Sequence, residues 1–488
     1  MVKRILKLVG VLLLVLVAVQ AFNTVRFKPQ NTASRTVDLP PVDSAAVAVR
    51  LGQAIRFQTI SKVAGQTERG PAFQGFIDWL VDTYPAANNA MTRVMVGELT
   101  PIYRWEGSDE TLEPILLTAH YDVVPVAQGG QADWQQKPFS GVIADGFIWG
   151  RGALDDKGAV VAIMEAIEAL VKTGFTPKRT VYLSFGHDEE IGGSQGAASV
   201  AAYFKEQGIQ MAWSLDEGSM ILKDVIGGLD MPVASINVAE KGYLSLDITA
   251  SAEGGHSSLP PRETAVSTLA AAVTRLQLAP VPGGLTGASK EFFDALGPHF
   301  SLSKRVLFAN QWFYRPLLEM VLSGAPATDA MMRTSKAPTM LVGSAKDNVL
   351  PQKAIATVNF RIHPRDTIDS IISHTHDMID NEDIEVAIRE GFGNEPSAVS
   401  DKDGAGFKAL SQTFRQVFGD LIVVPGLTVA ATDSVHYSKV SDNSYRINPF
   451  VFTGEDIKRL HGRNERISVE AMGLAVQFYG MLIRNGGA

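Results

Sequence analysis

The stretch GRGALDDKG at 150–158 constrains the fold of this chain more than any other. An apolar run before it leads into HYD at 120–122, and an apolar run after it leads into HDEE at 187–190. Carboxylates and imidazoles at this density are costly at strand ends unless something pairs them. We therefore interpret Asp155 as the bridge between two metal ions, with the flanking strands supplying the remaining ligands.

The end of the first of these strands has the form His120-x-Asp122. In an α/β sheet, ligands bind outside the carboxyl ends of the strands. The imidazole reaches that edge, and a carboxylate two residues later lies on the same side of the chain. This is the pattern of a metal ligand followed by the group that orients it.

Three further segments add ligands of the same chemical types. Glu189 and Glu190 are neighbours and point in opposite directions, so one can bind metal while the other acts as general base. Another apolar run ends in Asp216, and a loop near the C-terminus begins with His461. The chain contains no cysteine, so any metal must be held by imidazole and carboxylate groups.

These motifs resemble the di-zinc metallopeptidase family of aminoacylase, carboxypeptidase S and glutamate carboxypeptidase. The resemblance is closest to the branch of carboxypeptidase S and the N-fatty-acyl-amino-acid hydrolases, and it extends from about residue 45 to the end. The motifs that carry it are His120-x-Asp122, GRGALDDKG at 150–158, GHDEEIGG at 186–193, LDEG at 215–218, GGHSS at 254–258 and HGRNERI at 461–467.

The resemblance implies two zinc ions, or cobalt or manganese in their place, and a role for each residue of the set. One ion would be bound by His120, Asp155 and Asp216, and the other by Asp155, Glu190 and His461. Glu189 would be the base that takes a proton from a water between the metals, and Asp122 would support His120.

The resemblance also implies functional residues outside the metal site. His256 would stabilise the oxyanion, across to the metal site of a partner subunit in a homodimer formed through the lid domain. Arg361 and Asn348 would hold the substrate carboxylate, a task that suits the two parallel donors of a guanidinium. A loop histidine after a turn and a surface salt-bridge arginine are the simpler interpretations of His256 and Arg361.

The predicted fold class is α/β, with a doubly wound, mainly parallel sheet in the catalytic domain and an inserted α+β lid domain. Strands with ligands at their ends alternate with helical patterns, whereas the segment after about residue 235 has the alternating pattern of half-exposed strands. The predicted divisions are an N-terminal apolar segment at 1–23, a linker at 24–43, the catalytic domain at 44–235 and 396–488, and the lid at 236–395.

The first residues carry Lys3, Arg4 and Lys7 and then a long apolar run. This pattern predicts an uncleaved single-pass anchor with the body outside the cytoplasm, or a signal peptide that leaves a secreted or periplasmic protein. The segment 292–332 is also rich in large apolar residues. We interpret these residues either as core or as a trough for an acyl chain. The net charge of -8 argues against a nucleic-acid surface.

The predicted reaction is hydrolysis of an amide bond next to an amino acid that carries a free carboxylate. The substrate classes left open are short peptides, cleaved by a carboxypeptidase, and N-acyl amino acids, cleaved by a deacylase. The carboxylate-binding positions disfavour an aminopeptidase. The alternative is a membrane-tethered binding protein of the same fold that lacks catalysis.

Overall fold

The computed structural model describes residues 1–29, 37, 39–62, 70–127 and 129–487. Part of the predicted linker, at 30–36 and 38, lies outside the described residues. The α-helices in chain order are α1 (Val2–Arg26), α2 (Ser44–Ile55), α3 (Pro71–Thr83), α4 (Pro85–Ala90), α5 (Lys157–Lys172), α6 (Ala197–Glu206), α7 (Ala265–Leu278), α8 (Gly287–Leu296), α9 (Leu302–Ala309), α10 (Gln311–Leu322), α11 (Pro326–Met332), α12 (Ile368–Ile379), α13 (Ala405–Phe418), α14 (Ser434–Tyr437), α15 (Gly454–Ile457) and α16 (Val469–Gly486).

The strands form one large sheet, one small sheet and short ribbons. In chain order they are β1 (Thr92–Val96), β2 (Thr100–Trp105), β3 (Ile115–His120), β4 (Val142–Ala144), β5 (Phe147–Trp149), β6 (Val181–Gly186), β7 (Trp213–Asp216), β8 (Ile221–Leu222), β9 (Val233–Glu240), β10 (Gly242–Ser251), β11 (Gly255–His256), β12 (Ser335–Val342), β13 (Val349–Leu350), β14 (Lys353–Ile362), β15 (Ile384–Asn394), β16 (Ile422–Thr428), β17 (Ser444–Arg446), β18 (Val451–Phe452) and β19 (Arg466–Ser468).

The large sheet has the strand order β1-β2-β6-β3-β7-β17-β9-β8-β18, and β16 also pairs with β9. The four strands β6, β3, β7 and β17 are parallel to one another. Antiparallel pairs flank this centre, where β2 meets β6 and β9 meets β17. The carboxyl ends of the parallel strands therefore share one edge, which is where ligands collect in α/β proteins.

Helices cover both faces of the large sheet. The helices α2, α5, α13 and α16 pack on one face, where nearly every residue of α5 is buried. The opposite face is covered by α6 and α14, with Phe204 and Tyr437 fully buried among the strand residues. Because parallel strands are hydrophobic on both sides, they need both layers. The predicted α/β class with a doubly covered sheet is confirmed.

The small sheet has the order β12-β14-β10-β15 and is antiparallel throughout. The helices α7 and α12 pack on one of its faces and form a separate hydrophobic core with it. Its first strand begins at Gly242, later than the predicted boundary at 236, because β9 pairs with β16 in the large sheet. The α+β character predicted for the lid domain matches this arrangement.

The helices α8 to α11 lie between two elements of the small-sheet unit in sequence but pack against the large sheet. Phe292, Phe293, Phe300, Phe308 and Leu318 are buried in a cluster with residues of β9 and β16. For these side chains the core interpretation of 292–332 accounts for their position.

The helix α1 is the one helix of the described ranges that is long and apolar enough to cross a membrane. Its apolar window has a mean hydropathy of 2.6, and none of that window is buried in the protein. A signal sequence meets the same criteria of length and composition, so both interpretations of the N-terminal segment stay predictions.

A buried ion pair joins β17 to the end of β9. The Arg446 Nε donates to Glu240 Oε2 at 3.0 Å, and neither side chain is more than 3% exposed. Thr432 donates to the same carboxylate through its backbone nitrogen and its hydroxyl. Glu240 is thus tolerated in the sheet because three donors surround it.

We expect Arg446→Met to lower the free energy of unfolding by about 3–5 kcal/mol, because it leaves the Glu240 carboxylate buried without its cation. Thermal unfolding of the full chain measures the loss. Arg104→Met is the matched control, since Arg104 and Glu106 form an exposed pair at 3.2 Å, and it should cost no more than about 1 kcal/mol. Equal losses in the two variants would contradict the role of the buried pair.

Candidate metal centre

The candidate site lies at the carboxyl ends of β3, β6 and β7. His120 is the last residue of β3, Glu189 and Glu190 follow β6, and Asp216 is the last residue of β7. Parallel pairing of β3 with both neighbours brings these ends to one edge of the sheet. The loop that contains Asp155 and the loop that begins with His461 approach the same edge.

His120 is buried and hydrogen-bonded at one ring nitrogen. Its Nδ1 donates to the carbonyl oxygen of Asp122 at 3.0 Å and lies 3.4 Å from Asp122 Oδ1. This bond directs the lone pair of Nε2 toward the site, where Asp155 Oδ1 is 2.9 Å away. A histidine held in this way has the geometry of a metal ligand with its orienting partner.

The Asp122 carboxylate is fully buried and holds the backbone of both glutamates. Its Oδ1 accepts from the amide nitrogen of Glu189 at 3.1 Å, and its Oδ2 accepts from that of Glu190 at 3.3 Å. Asp122 therefore couples the end of β3 to the turn after β6.

The two carboxylate oxygens of Asp155 face two different imidazoles. Oδ1 lies 2.9 Å from His120 Nε2, and Oδ2 lies 3.1 Å from His461 Nε2. His461 Nε2 is also 3.0 Å from Glu190 Oε2. Burial alone would raise the pKa of Asp155, but the hydrogen bonds with the two histidines hold it well below its usual value. The bonds to Asp155 and Glu190 raise the pKa of His461 to about 10.

Glu189 is the carboxylate predicted to act as base. Its Oε2 lies 3.9 Å from His120 Nε2, so it faces the same space as Asp155. Burial, together with the charges of Glu217 and Glu190, raises the pKa of Glu189 well above its usual range.

Glu217, the neighbour of the predicted ligand Asp216, also faces His120. Glu217 Oε1 lies 3.3 Å from His120 Nε2, and burial followed by the charge of Asp155 raises its pKa to about 7. The Asp216 carboxylate instead accepts from the amide nitrogen of Glu217 at 2.9 Å and from Ser434 Oγ at 3.0 Å. The sequence analysis did not assign Glu217, because the motif LDEG alone does not show that this carboxylate also approaches His120.

Asp156 follows Asp155 through a cis peptide bond and is also part of the site. Asn448 donates to Asp156 Oδ1 at 2.7 Å, whereas Oδ2 is buried and has no hydrogen-bond partner in the described part of the chain. Burial, and then the charge of Glu217, raises the pKa of Asp156 well above its usual range.

A second residue that the sequence analysis did not assign, Glu465, fixes the loop of Asp155. Its Oε1 accepts from the amide nitrogens of Gly152 and Leu154 at 2.9 Å and of Asp155 at 3.3 Å. Its Oε2 accepts from Arg151, which also donates to the carbonyl oxygen of His461. Glu465 and Arg151 therefore tie the two ligand-bearing loops together. The motif HGRNERI contained Glu465, but only its contacts reveal this function.

The donor set fits divalent cations. Among the residues that the structure describes, two groups bring ligand atoms within 4.8 Å of one another: His120, Asp155 and Glu190, and His120, Asp156 and Glu217. Carboxylates outnumber imidazoles in these groups, and no described residue donates a hydrogen bond to the buried Asp156 Oδ2. Excess negative charge of this kind is stabilised by cations, and the oxygen and imidazole donors suit zinc, cobalt or manganese.

The three residues predicted on the lid lie in the small-sheet unit. His256 is exposed on β11, and its Nδ1 accepts from Ser258 Oγ at 2.8 Å. The carbonyl oxygen of Asn348 accepts from the amide nitrogen of Ser257 in the neighbouring strand region, and the Arg361 guanidinium lies 4.5 Å from the ring centre of Tyr243. Among the described residues, no hydrogen bond or ion pair joins His256, Asn348 or Arg361 to the carboxylates around His120 and His461.

Comparison with known proteins gives the family. Residues 116–485 match the sequence pattern of peptidase family M20/M25/M40. The probable carboxypeptidase S-like 2 of Dictyostelium discoideum is 37% identical, over 98% of this chain and 92% of its own. An N-fatty-acyl-amino acid synthase/hydrolase of Xenopus tropicalis is 36% identical, over 98% of this chain and 94% of its own.

A solved structure shows the same fold at low sequence identity. The M20 family metallo-carboxypeptidase of Sulfolobus solfataricus superposes with a TM-score of 0.62 at 18% identity, covering 90% of this chain and 99% of that one. The match to the family pattern and the two relatives confirm the predicted family, including its branch. This chain belongs to peptidase family M20/M25/M40, among relatives named carboxypeptidase S-like and N-fatty-acyl-amino acid synthase/hydrolase, and is a metal-dependent hydrolase of peptide or amide bonds.

Proposed function

We propose that this chain uses two zinc ions to hydrolyse an amide or peptide bond next to an amino acid with a free carboxylate. The substrate is either a short peptide that loses its C-terminal amino acid or an N-acyl amino acid, in keeping with the names of the relatives. The observation that carries the proposal is Asp155, whose two oxygens lie 2.9 Å and 3.1 Å from the imidazoles of His120 and His461. A carboxylate between two imidazoles of separate loops is suited to bridge two cations.

The ligands divide into two sets that share Asp155. His461 and Glu190 complete one set, and His120 with a carboxylate of the pair Asp216–Glu217 completes the other. When bound, the cations polarise the scissile carbonyl and lower the pKa of a water. Cobalt or manganese would be held by the same donors.

Glu189 acts as the general base. It is buried beside His120, and the hydrogen bond from its amide nitrogen to Asp122 fixes its backbone. It accepts a proton from the attacking water and passes it to the departing nitrogen of the substrate. Asp122 contributes by orienting His120 and by positioning the turn that carries Glu189.

The small-sheet unit supplies the remaining groups. His256 stabilises the oxyanion, and Arg361 with Asn348 binds the free carboxylate of the substrate. These side chains reach the metal ligands in one of two ways. The small-sheet unit closes over the site of its own chain, or the small-sheet unit of the other subunit in a homodimer supplies them. The exposed position of His256 at a short strand pair supports a role at an interface that forms on closure or dimerisation.

In this proposal the N-terminal helix α1 attaches the enzyme to a membrane. It is 25 residues long with basic residues at its start, so it anchors the chain with the catalytic domain outside the cytoplasm. Cleavage after a signal peptide would instead give a secreted or periplasmic enzyme. Alkaline extraction of membranes distinguishes an anchored chain from a released one.

We expect Glu189→Gln to lower kcat by roughly 10²–10⁴-fold while leaving the bound metal unchanged, because the amide cannot accept the water proton. Turnover is measured on a panel of N-acetyl amino acids, long-chain N-acyl amino acids and dipeptides, together with metal content by mass spectrometry. Glu206→Gln, an exposed change on α6, serves as control. Full activity of Glu189→Gln would show that the base is misassigned. A wild-type chain that binds these compounds without turnover would favour the membrane-tethered binding protein.

We expect Glu217→Gln to remove about one metal equivalent per chain, with a smaller effect of Asp216→Asn, because the Glu217 carboxylate faces His120 while Asp216 is hydrogen-bonded by Ser434. Metal content after dialysis against a weak chelator measures both. The two neighbours serve as each other's matched control. Loss of the metal in Asp216→Asn alone would restore Asp216 as the ligand that the resemblance implies.

We expect Arg361→Met to raise KM for substrates with a free carboxylate by roughly 10–100-fold, because a bidentate charged contact is lost. The same substrates with an amidated carboxylate are the internal control, since their KM should not change between wild type and variant. An equal rise for both substrate forms would show that Arg361 does not bind the carboxylate.

A further inference from the structure

The helix α10 exposes a side that is apolar along its whole length. The exposed side chains recur at helical spacing. Among them, Leu317 is 42% exposed and Met320 is 66% exposed. They are Trp312, Phe313, Pro316, Leu317, Met320 and Val321, called here the α10 face. The opposite side of the helix carries Leu318, which is buried in the core against the large sheet. An exposed helix side on a water-soluble surface is normally polar, so this face has the reverse of the usual pattern.

The charged residues of α10 lie at the border of the α10 face and are paired there. Arg315 Nε donates to Glu319 Oε1 at 2.7 Å, and the same oxygen accepts from the amide nitrogen of Leu285. At helical spacing these two positions lie beside the α10 face and not within it. A patch of six neighbouring apolar side chains without a charge marks a surface that is covered by something apolar.

Hydrogen bonds attach the start of α10 to the end of α1. Asn23 Nδ2 donates to Asn310 Oδ1 at 3.0 Å, and Tyr314 donates through its hydroxyl to Gln20 Oε1 at 3.0 Å. Asn310 Nδ2 also donates to the carbonyl oxygen of Gln20. The apolar side chains of α1 before these contacts are exposed. The α10 face is therefore held next to the point where the apolar helix meets the folded body.

We propose that the α10 face lies in the lipid surface beside α1, at the boundary between headgroups and acyl chains. Amphipathic helices with tryptophan and phenylalanine on the apolar side bind this boundary, and aromatic side chains are enriched at this depth. The inference rests on the proposed anchor α1 and does not depend on the hydrolytic reaction. A second copy of the chain or another protein would also cover an apolar surface, but the attachment to α1 favours the membrane.

Single-cysteine labelling tests whether the α10 face contacts lipid, because the full chain contains no cysteine of its own. Met320→Cys on the α10 face and Met95→Cys on the exposed strand β1, at the other end of the large sheet, form a matched pair. Val15→Cys reports on α1. Each full-length variant carries an environment-sensitive fluorophore and is reconstituted in phosphatidylcholine vesicles with or without bromine atoms on the acyl chains.

We expect brominated lipid to quench the labels at 320 and 15 about twofold or more, and to leave the label at 95 unchanged, since the apolar side of such a helix enters about 5–10 Å below the headgroup level. Quenching at 15 but not at 320 would overturn the proposal and leave the anchor in place. A label at 320 that is shielded from lipid and from a water-soluble quencher would point to a protein partner and would also overturn it. Absence of quenching at both 15 and 320 would refute the anchor and the contact of the α10 face with lipid. Hydrolysis by the same samples is measured separately, so failure of the reaction is distinguished from failure of the membrane contact.

Discussion

Negative charge gathered at the ends of three parallel strands is the constraint on which the rest of the structure depends. Asp155, Glu189, Glu190 and Glu217 are each no more than 15% exposed, and their carboxylates share the space around the imidazole of His120. Such a group is stable only where hydrogen bonds and cations offset the repulsion. The need for that compensation explains why the surrounding chain is rich in backbone donors aimed at carboxylates.

Two carboxylates outside the ligand set provide the framework for this charge. Asp122 accepts from the amide nitrogens of the two glutamates after β6, and Glu465 accepts from three amide nitrogens in the loop of Asp155. Because Glu465 also pairs with Arg151, the loop near the C-terminus that carries His461 is joined to the loop of Asp155. The site is thus assembled from distant parts of the chain and is held by backbone contacts as much as by the ligands.

The chain between β9 and α13 forms both the small sheet and the helices that lie next to α1. Between α7 and β12 the chain leaves the small sheet, forms α8 to α11 against the large sheet, and contacts α1 through Asn310 and Tyr314. The small-sheet unit, which carries His256 and Arg361, is therefore connected in sequence to helices that adjoin the apolar N-terminal helix.

The sequence by itself determined the α/β class and the strand ends at or after which His120, Glu190 and Asp216 lie, because apolar periodicity and the residues that follow it are local properties. Only the tertiary structure decided which neighbour in LDEG faces His120, how Glu465 joins two loops, and that β9 belongs to the large sheet. It also decided that α10 turns its apolar side outward. An apolar helical stripe has the same sequence whether it packs on protein or on lipid, and an acidic pair has the same sequence whichever carboxylate turns inward, so only the packing of the whole chain distinguishes them.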